Sequence, residues 1–386
     1  NIKYIFIYGK PERSFLHMHL VFNKSNLLQS INIVLKAVPS RTTMPILECI
    51  LIDASSDCIK FTSNDTELAI ETIVEGEIIS KGIVAIDAKI FSEIIRKLPD
   101  SEITITTDEN FKTTITCEKA TFSLAGKPGD DFSYLPAFEK NQFIYLSQFT
   151  LKELIRQTIF SIADNDTNKL MTGELFEVKG NLLTVTALDG HRIAMRKAEL
   201  KETFDNIKVI VPGKTLNEIS KILSGDTESD IRIFFENNLI AFEFDHTVVV
   251  SRLIDGDYFK VEQMISSNFD TIIKVNKKEF LDCIDRSTLL VKEGDKKPII
   301  INITENELEL KISSFLGSMN EHIAIEKNGK DIMIGFNPKF LMDALKVIDE
   351  ENVDIYLVNS KAPCVIKNED ETYIYLILPV NFNTAY

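Results

Sequence analysis

The 386-residue sequence lacks the patterns that build metal sites and disulfide frameworks. Its cysteines are scattered along the sequence, and no two of them form a C-x-x-C pair. They are Cys49, Cys58, Cys117, Cys283 and Cys364. No histidine stands at a spacing that would complete a zinc site. We therefore expect no metal and no cofactor, and the absence of a disulfide framework favours a reducing, cytoplasmic location.

Long apolar runs are also missing. No stretch approaches the roughly 20 apolar residues of a membrane span, so we expect a soluble chain without a membrane partner. The apolar segment Tyr4–Tyr8 is too short for the core of a signal peptide and lacks a small-residue cleavage site. Because Met18 directly precedes the first strand-like run, His19–Phe22, we expect residues 1–17 to be an extension that precedes the fold.

Motifs of common catalytic sites are absent as well, since the sequence has neither a P-loop nor a nucleophile motif. The one cluster with acid-base character is Asp189, His191 and Arg192. Neighbouring residues on a strand or tight turn point to different faces, so we do not expect this trio to converge on one substrate. The sequence thus predicts a protein that is not an enzyme, with an acid-base enzyme as the alternative.

Acidic residues outnumber basic ones by 58 to 43, which gives a formal net charge of −15. Taken alone, this charge opposes a nucleic-acid partner, because phosphate binding requires Lys and Arg. Six stretches with helical periodicity reverse the balance with 14 Lys or Arg against 8 Asp or Glu: 23–38, 87–98, 147–162, 212–223, 276–291 and 337–348. A chain that is acidic overall but basic on its helices can present those helices to a polyanion.

One pattern occurs three times: a capping residue, an amphipathic stretch of about three turns, and an alternating strand. The copies begin at Asp87, Pro212 and Asn337, at intervals of 125 residues. In the first copy, Phe91 and Ile95 share one helix face. Another helical stretch precedes each copy, so we predict three α+β domains, each with two helices and antiparallel strands. Their predicted bounds are 18–141, 142–269 and 270–386. A generic duplication without functional meaning is the alternative.

Several segments, in this order and on this repeat, resemble the bacterial sliding-clamp family, the beta subunits of DNA polymerase III. They are Pro39–Leu47, Gly173–Leu183 followed by Ala187–Ala194, Val209–Pro212, Leu253–Gly256 and the tail Tyr375–Phe382. The resemblance extends over the chain from Met18. It implies the clamp fold, in which each domain has antiparallel sheets outside and two helices that face a central hole. It further implies that two subunits close head to tail into a six-domain ring around double-stranded DNA.

The resemblance also implies residues that contact DNA. They are Arg41 on the loop after the first helix, Lys89 and Arg96 on a helix that faces the hole, and Lys169. The loop Asp164–Leu170 departs from the family pattern, because this chain has Asn-Lys-Leu where some members have Arg-Tyr-Tyr. Stacking of a base on tyrosine is therefore not expected here. The contacts would be to phosphates, which carry no sequence information.

A second implied surface is a hydrophobic cleft between the second and third domains. In this family it receives linear motifs from the polymerase III catalytic subunit, the clamp loader and other replication and repair proteins. The matching positions are Met171, Leu188, Gly190, Arg192, Ile193, Met264, Phe340, Pro363, Leu378, Pro379 and Val380. Ordinary core packing is the alternative for the aliphatic members. Leu188, Phe259 and Asn381 depart from the usual residues, as do the four residues after Phe382, so the preferred peptide is expected to differ.

The resemblance finally places the junction of the homodimer between the first domain and the third domain of its partner. Phe122 and Leu124 would lie on one side of that junction, and Leu290 and Val291, at a helix end, on the other. An exposed edge strand invites pairing with another chain, and apolar residues are stabilised when a partner covers them. Burial of these four residues within their own domains is the alternative. A repeat scaffold that binds only proteins is the alternative function.

Overall fold

The computed structural model describes residues 17–132, 138–164, 168–291 and 297–382. The chain groups into two compact units, Asn1–Phe143 with Ile231–Arg252, and Ile144–Asp230 with Leu253–Tyr386. In the described ranges no helix is long and apolar enough to cross a membrane. The predicted bounds of the three domains stay a prediction.

In the described ranges the α-helices come in three pairs, as the sequence predicts. They are α1 Lys24–Val34, α2 Ala88–Lys97, α3 Gln148–Arg156, α4 Gly213–Ile222, α5 Lys277–Thr288 and α6 Pro338–Val347. The predicted stretch 147–162 is wrong at its end, because α3 stops at Arg156 and a separate 3-10 turn follows. Thr158, which is β-branched, precedes that turn with φ −128°, outside the helical region.

The strands in chain order are β1 Met18–Asn23, β2 Cys49–Asp53, β3 Ile59–Asn64, β4 Leu68–Val74, β5 Glu77–Ser80, β6 Ile83–Asp87, β7 Glu102–Thr107, β8 Lys112–Cys117, β9 Ala120–Ala125, β10 Phe143–Ser147, β11 Gly173–Leu188, β12 Arg192–Pro212, β13 Asp230–Phe235, β14 Leu239–Phe244, β15 Thr247–Arg252, β16 Thr271–Asn276, β17 Ile299–Thr304, β18 Glu307–Ser314, β19 Gly317–Gly329, β20 Ile332–Phe336, β21 Asn352–Leu357, β22 Cys364–Lys367 and β23 Tyr373–Ile377.

The first unit contains a sheet of order β5-β1-β7-β8-β9 and a second series, β13-β14-β15-β4-β3-β2-β6. In the second unit, ten strands follow the order β11-β12-β23-β22-β21-β16-β19-β18-β17-β20. The neighbouring strands pair antiparallel, as the alternating apolar pattern predicts. The strand β9 is an edge of its sheet.

The helix caps follow the sequence closely. The Asp87 side chain accepts from the Ile90 N–H, and the Asn337 side chain accepts from the Lys339 N–H, with proline at the first helical position. The predicted apolar face of α2 is confirmed at Phe91 and Ile95, which are fully buried. Pro212 starts the helix α4 without a side-chain cap.

A lysine of the first helix closes each helix pair. The ammonium groups of Lys24, Lys152 and Lys277, here called the clasp lysines, donate to the backbone carbonyls of Leu98, Leu223 and Ile348. Each of those carbonyls belongs to the residue that ends the second helix of the pair. Unpaired carbonyls and the helix dipole attract a cation there, so the clasp lysines hold the two helices together.

Candidate functional site

A tight turn between β11 and β12 positions the central residues of the predicted cleft. The Asp189 carboxylate oxygen Oδ1 accepts from the backbone N–H groups of His191 and Arg192, at 2.9 and 3.1 Å. Gly190 has φ +88°, in the left-handed region that favours glycine. The turn therefore fixes the backbone positions from which the side chains of His191 and Arg192 extend.

The Arg192 guanidinium is 7% exposed, and each of its nitrogens has a partner. Nε contacts Asp189 Oδ2 at 2.9 Å, Nη1 contacts Asp343 Oδ2 at 2.6 Å, and Nη2 donates to the Phe160 carbonyl. The group also lies over the ring of Phe340, 4.5 Å from its centroid. Because a buried charge is costly unless it is paired, these contacts keep the side chain in one position.

The expectation that Asp189, His191 and Arg192 do not converge on one substrate stays a prediction, although two of the three side chains meet. Asp189 and Arg192 form an ion pair, because they lie on a turn that returns the chain and not on a continuing strand. The His191 ring instead stacks on Phe340, with centroids 6.0 Å apart and 21° between the planes. Within the described chain, the trio therefore builds a structural pair beside an aromatic stack.

A buried apolar cluster lies beside this turn, and we call it the cleft floor. It consists of Leu175, Leu188, Ile193, Met195, Ile210, Ile254, Tyr258, Val261, Val365, Ile374 and Leu376. The structure thus brings the predicted residues Leu188 and Ile193 together, and Met171 packs against the same cluster. Leu188 and Ile193 are 4% and 7% exposed, so both also act as core residues. Phe259 packs against the floor as well.

The C-terminal tail runs along the same region. The Leu378 N–H donates to the His191 carbonyl at 2.9 Å, and the Val380 N–H donates to the Gly335 carbonyl at 2.8 Å. A Cβ at Gly335 would lie 2.7 Å from the Phe382 ring, so the glycine permits the close approach of the tail. Pro379 and Val380 are half-buried, whereas Leu378 is exposed. Residues 383–386 lie outside the described residues.

Two further predicted cleft residues, Met264 and Pro363, belong to the second unit. Met264 belongs to a 3-10 turn, Val261–Met264, and is 47% exposed. Pro363 is half-buried and directly precedes β22, which pairs with β23. An exposed methionine beside an apolar floor offers a flexible surface for an apolar ligand.

The four residues predicted to contact DNA are exposed. Arg41, Lys89 and Arg96 belong to the first unit, and Lys169 to the second. Within the described residues, none of the four side chains forms an ion pair. In the loop Asp164–Leu170, residues 165–167 lie outside the described residues.

The first-domain residues predicted for the dimer junction lie on β9. Phe122 is 40% exposed and Leu124 is half-buried. On the other predicted side, Leu290 and Val291 follow the end of α5, and both pack against the core of the second unit. The sequence placed them at the end of a helix, but α5 already ends at Thr288.

Additional exposed apolar residues, which the predictions from the sequence did not include, surround Leu290. Leu289 is 78% exposed, and Phe315 and Leu316, at the turn between β18 and β19, are 66% and 51% exposed. A Cβ at Gly317 would lie 3.9 Å from Leu290, so the turn and the end of α5 are adjacent. Two consecutive apolar residues between two alternating strands are the signal that could have found this surface.

The cysteines and the possible metal ligands are the remaining side chains with reactive groups. In the part of the chain that the structure describes, no group of three His, Cys, Asp or Glu could hold a metal ion. The cysteines are free, and all but Cys58 are buried. Burial raises the pKa of Cys283 and of Cys364 to about 12, so both thiols stay protonated at neutral pH.

Three successive family profiles match the chain. They describe the N-terminal, central and C-terminal domains of the DNA polymerase III beta subunit, and they match residues 18–136, 145–260 and 262–381. The chain belongs to the DNA polymerase III beta subunit family. The predicted clamp fold of three repeated domains is thereby confirmed.

Members of this family match nearly the whole chain. The beta sliding clamp of Staphylococcus epidermidis is 35% identical over 374 residues, which cover 94% of this chain and 99% of that protein. The solved structure of the sliding clamp from Bacillus subtilis has 35% sequence identity to this chain and a TM-score of 0.92. The match covers 95% of this chain and 100% of the Bacillus subtilis chain. A structure from Eubacterium rectale, solved under the name DNA polymerase III beta subunit, is 66% identical with the same TM-score and coverage.

Proposed function

We propose that this chain is a DNA sliding clamp without catalytic activity of its own. Two copies would close head to tail around duplex DNA and tether the replicative polymerase for processive synthesis. The observation that carries the proposal is the match of all three domains, in order, to the beta subunit family. The basic helix pairs that recur in a chain of net charge −15 add to it.

Phosphate contacts by exposed cations account for binding without sequence preference. Arg41, Lys89, Arg96 and Lys169 are the candidates, because their side chains are exposed and unpaired within the described residues. Such contacts position a protein on DNA but read no bases, so the ring can slide.

The surface around Arg192, the cleft floor and the tail is the proposed docking site for partner motifs. The polymerase III catalytic subunit, the clamp loader and repair proteins would bind here through apolar anchors. The floor is buried, while Met264 and Leu378, which follow the floor residues Val261 and Leu376 in the chain by three and two positions, are exposed. Apolar anchors that enter such a surface supply most of the energy of a peptide interface.

Deleting residues 378–386 should abolish the binding of a partner peptide to this cleft. The tail is tied to the turn by the Leu378–His191 bond and to β20 by the Val380–Gly335 bond, so its removal takes away one wall. Isothermal titration calorimetry with a motif peptide of the polymerase catalytic subunit measures the loss. Replacing the exposed Ile90 with alanine is the matched control and should leave the affinity unchanged.

The truncated protein must stay folded and dimeric for this comparison, which thermal melting and sedimentation establish. Should truncation unfold it, Leu378→Asp with Val380→Asp replaces the deletion. Peptide affinity equal to that of the intact chain would show that the tail is not part of the cleft.

The dimer junction is proposed to join two free strand edges. On the first domain, β9 pairs only with β8 among the described strands. On the third domain, residues 317–324 of β19 pair with β18, and their other edge has no strand beside it in the described ranges. Each edge presents unpaired backbone groups that a strand of the partner can satisfy.

Loading onto a nicked circular plasmid tests the function as a whole. With the cognate clamp loader and ATP, the clamp should elute with the circular DNA in gel filtration and be lost when a restriction enzyme linearises it. A scaffold that binds only proteins would elute separately from the DNA in both cases.

A further inference from the structure

The second helix of every domain carries the same triplet of charges. A lysine is followed four residues later by an acid and seven residues later by a second cation. The copies lie at intervals of 125 residues and are Lys89-Glu93-Arg96, Lys214-Glu218-Lys221 and Lys339-Asp343-Lys346. Residues at i, i+4 and i+7 share one helix face, and two turns separate the cations by about 10 Å. All six cations are exposed.

The cations of the middle copy already have partners. Glu218 contacts the Lys221 ammonium at 2.8 Å, and Lys214 has an interaction partner as well. A cation that is already paired with a carboxylate must give up that pair to neutralise a phosphate, so its net contribution to DNA binding is smaller. The helix α4 is therefore a weak site for DNA.

The third copy differs because its acid forms an ion pair with a residue outside the triplet. Asp343 is bound by Arg192 Nη1 at 2.6 Å, which removes the carboxylate from the two lysines of α6. Within the described residues, Lys339 and Lys346 form no ion pair. Arg192 belongs to the turn of the cleft, so one side chain contacts the peptide site and sets the charge of this helix.

The first copy keeps an excess of positive charge. Glu93 forms no ion pair with described residues, but Lys97 adds a cation where the other copies have Ile222 and Val347. Lys89, Arg96 and Lys97 are all exposed. The helix α2 thus has three cations against one acid on its exposed surface.

The first helices of the pairs offer fewer cations than their composition indicates. The clasp lysines donate to helix-end carbonyls. Arg156 pairs with Glu153 and Asp349, and Arg286 pairs with Glu321. Charge counted along the sequence therefore overstates what these helices present to a polyanion.

We propose that phosphate contact is graded across the ring, with α2 and α6 binding the DNA backbone and α4 contributing little, and that Arg192 keeps α6 competent by holding Asp343. The proposal rests on the sliding-clamp function proposed above. It also links the two functional surfaces, because a ligand that shifts Arg192 in the cleft would release Asp343 to pair with Lys339 or Lys346.

Three double variants, matched in formal charge and in repeat position, test the grading: Lys89→Ala/Arg96→Ala, Lys214→Ala/Lys221→Ala and Lys339→Ala/Lys346→Ala. Affinity for a short duplex is measured by fluorescence anisotropy between roughly 50 and 200 mM salt. The first and third variants should reduce the slope of log K against log salt concentration by about 1 to 2 for each subunit in contact. The middle variant should leave the slope unchanged. Equal reductions from all three would overturn the grading.

Substitutions of Glu218, Arg192 and Asp343 test whether the ion pairs of the triplet acids control DNA binding. Glu218→Gln should free Lys221 and increase the salt slope by up to about one per subunit. Arg192→Gln should weaken DNA binding several-fold, and Arg192→Gln/Asp343→Asn should restore it. No loss in the single variant, or no recovery in the double variant, would refute the link to the cleft. If Arg192→Gln does not fold, Asp343→Asn decides alone, because it should preserve or strengthen DNA binding, and a weakening would refute the link.

The plasmid assay separates failure of this proposal from failure of the function. A wild-type protein that is not retained on nicked circular DNA would remove the sliding-clamp function itself. Retention of the wild type combined with equal behaviour of the three double variants would remove only the grading.

Discussion

Replacing Leu289 and Leu316 with aspartate should convert the proposed dimer into folded monomers of half the mass. Both side chains are more than half exposed, and they lie beside Leu290 at the proposed junction. Apolar surface that a partner covers contributes roughly 25 cal/mol per Å², and a buried unpaired carboxylate reverses that gain. A ring that cannot close would also be lost from circular DNA.

Analytical ultracentrifugation measures the mass, and thermal melting establishes that the monomers are folded. Ile79→Asp is the control, since Ile79 is 55% exposed but lies on β5, at the opposite edge of its sheet from β9. A double variant that still sediments as the dimer would place the junction elsewhere.

Leu290 and Val291 are poorer positions for the same experiment. Both pack against the core of their own unit, so aspartate there would also destabilise the fold. On the first domain, Phe122→Asp is the complementary change, because Phe122 is exposed on the edge strand β9. It should produce the same monomers.

Replacing Glu174 with glutamine should stabilise the protein at pH 8 by up to about 5 kcal/mol and have no effect near pH 4. The Glu174 side chain is fully buried, and neither carboxyl oxygen has a hydrogen-bond partner in the described structure. Burial raises the pKa of this carboxyl to about 8, and the nearby Thr158 hydroxyl offsets only part of the shift. That hydroxyl donates to the Leu154 carbonyl.

The sign follows from proton binding. In the unfolded chain Glu174 ionises near pH 4.5, whereas in the folded chain it stays protonated up to about pH 8. Between these values the folded state binds the extra proton, so rising pH destabilises it, and the loss is complete above the folded pKa. Glutamine never ionises, so the advantage of the variant grows through this window and then becomes constant.

Urea denaturation at pH 4, 6 and 8.5 measures the difference between variant and wild type. Glu177→Gln is the control on the same strand, because the Glu177 carboxylate pairs with Lys179 at 2.8 Å, and its loss should bring no stabilisation at high pH. A gain from Glu174→Gln that is equal at all three pH values would contradict a proton-linked origin.

Much of the secondary structure is encoded locally, and so the sequence predicts it. The cap residues Asp87 and Asn337 and the buried face of α2 follow from capping chemistry and the period of 3.6 residues. Alternation of apolar residues likewise marks the strands Leu239–Phe244 and Tyr373–Ile377. The recurrence at 125 residues indicates the repeated domains without any coordinates.

Contacts between distant residues could not be predicted in this way. Val249 in β15 pairs with Ile70 in β4, although the sequence assigned them to different domains. Arg192 pairs with Asp343, which lies 151 positions away in the sequence. The periodicity of apolar residues does not predict which acid an arginine pairs with. The candidate cleft residues came from family resemblance, and the packing of Met171, Leu188 and Ile193 in one apolar cluster is visible only in the structure.

The three domains, their helices and the charged triplets can be recognised in the sequence, because each depends on the order of neighbouring residues. The packing of the folded chain sets which charges remain available. It paired Glu218 with Lys221, gave Asp343 to Arg192, and placed the clasp lysines on helix ends. Ion pairing depends on distances of a few Å between side chains, and the fold alone sets those distances.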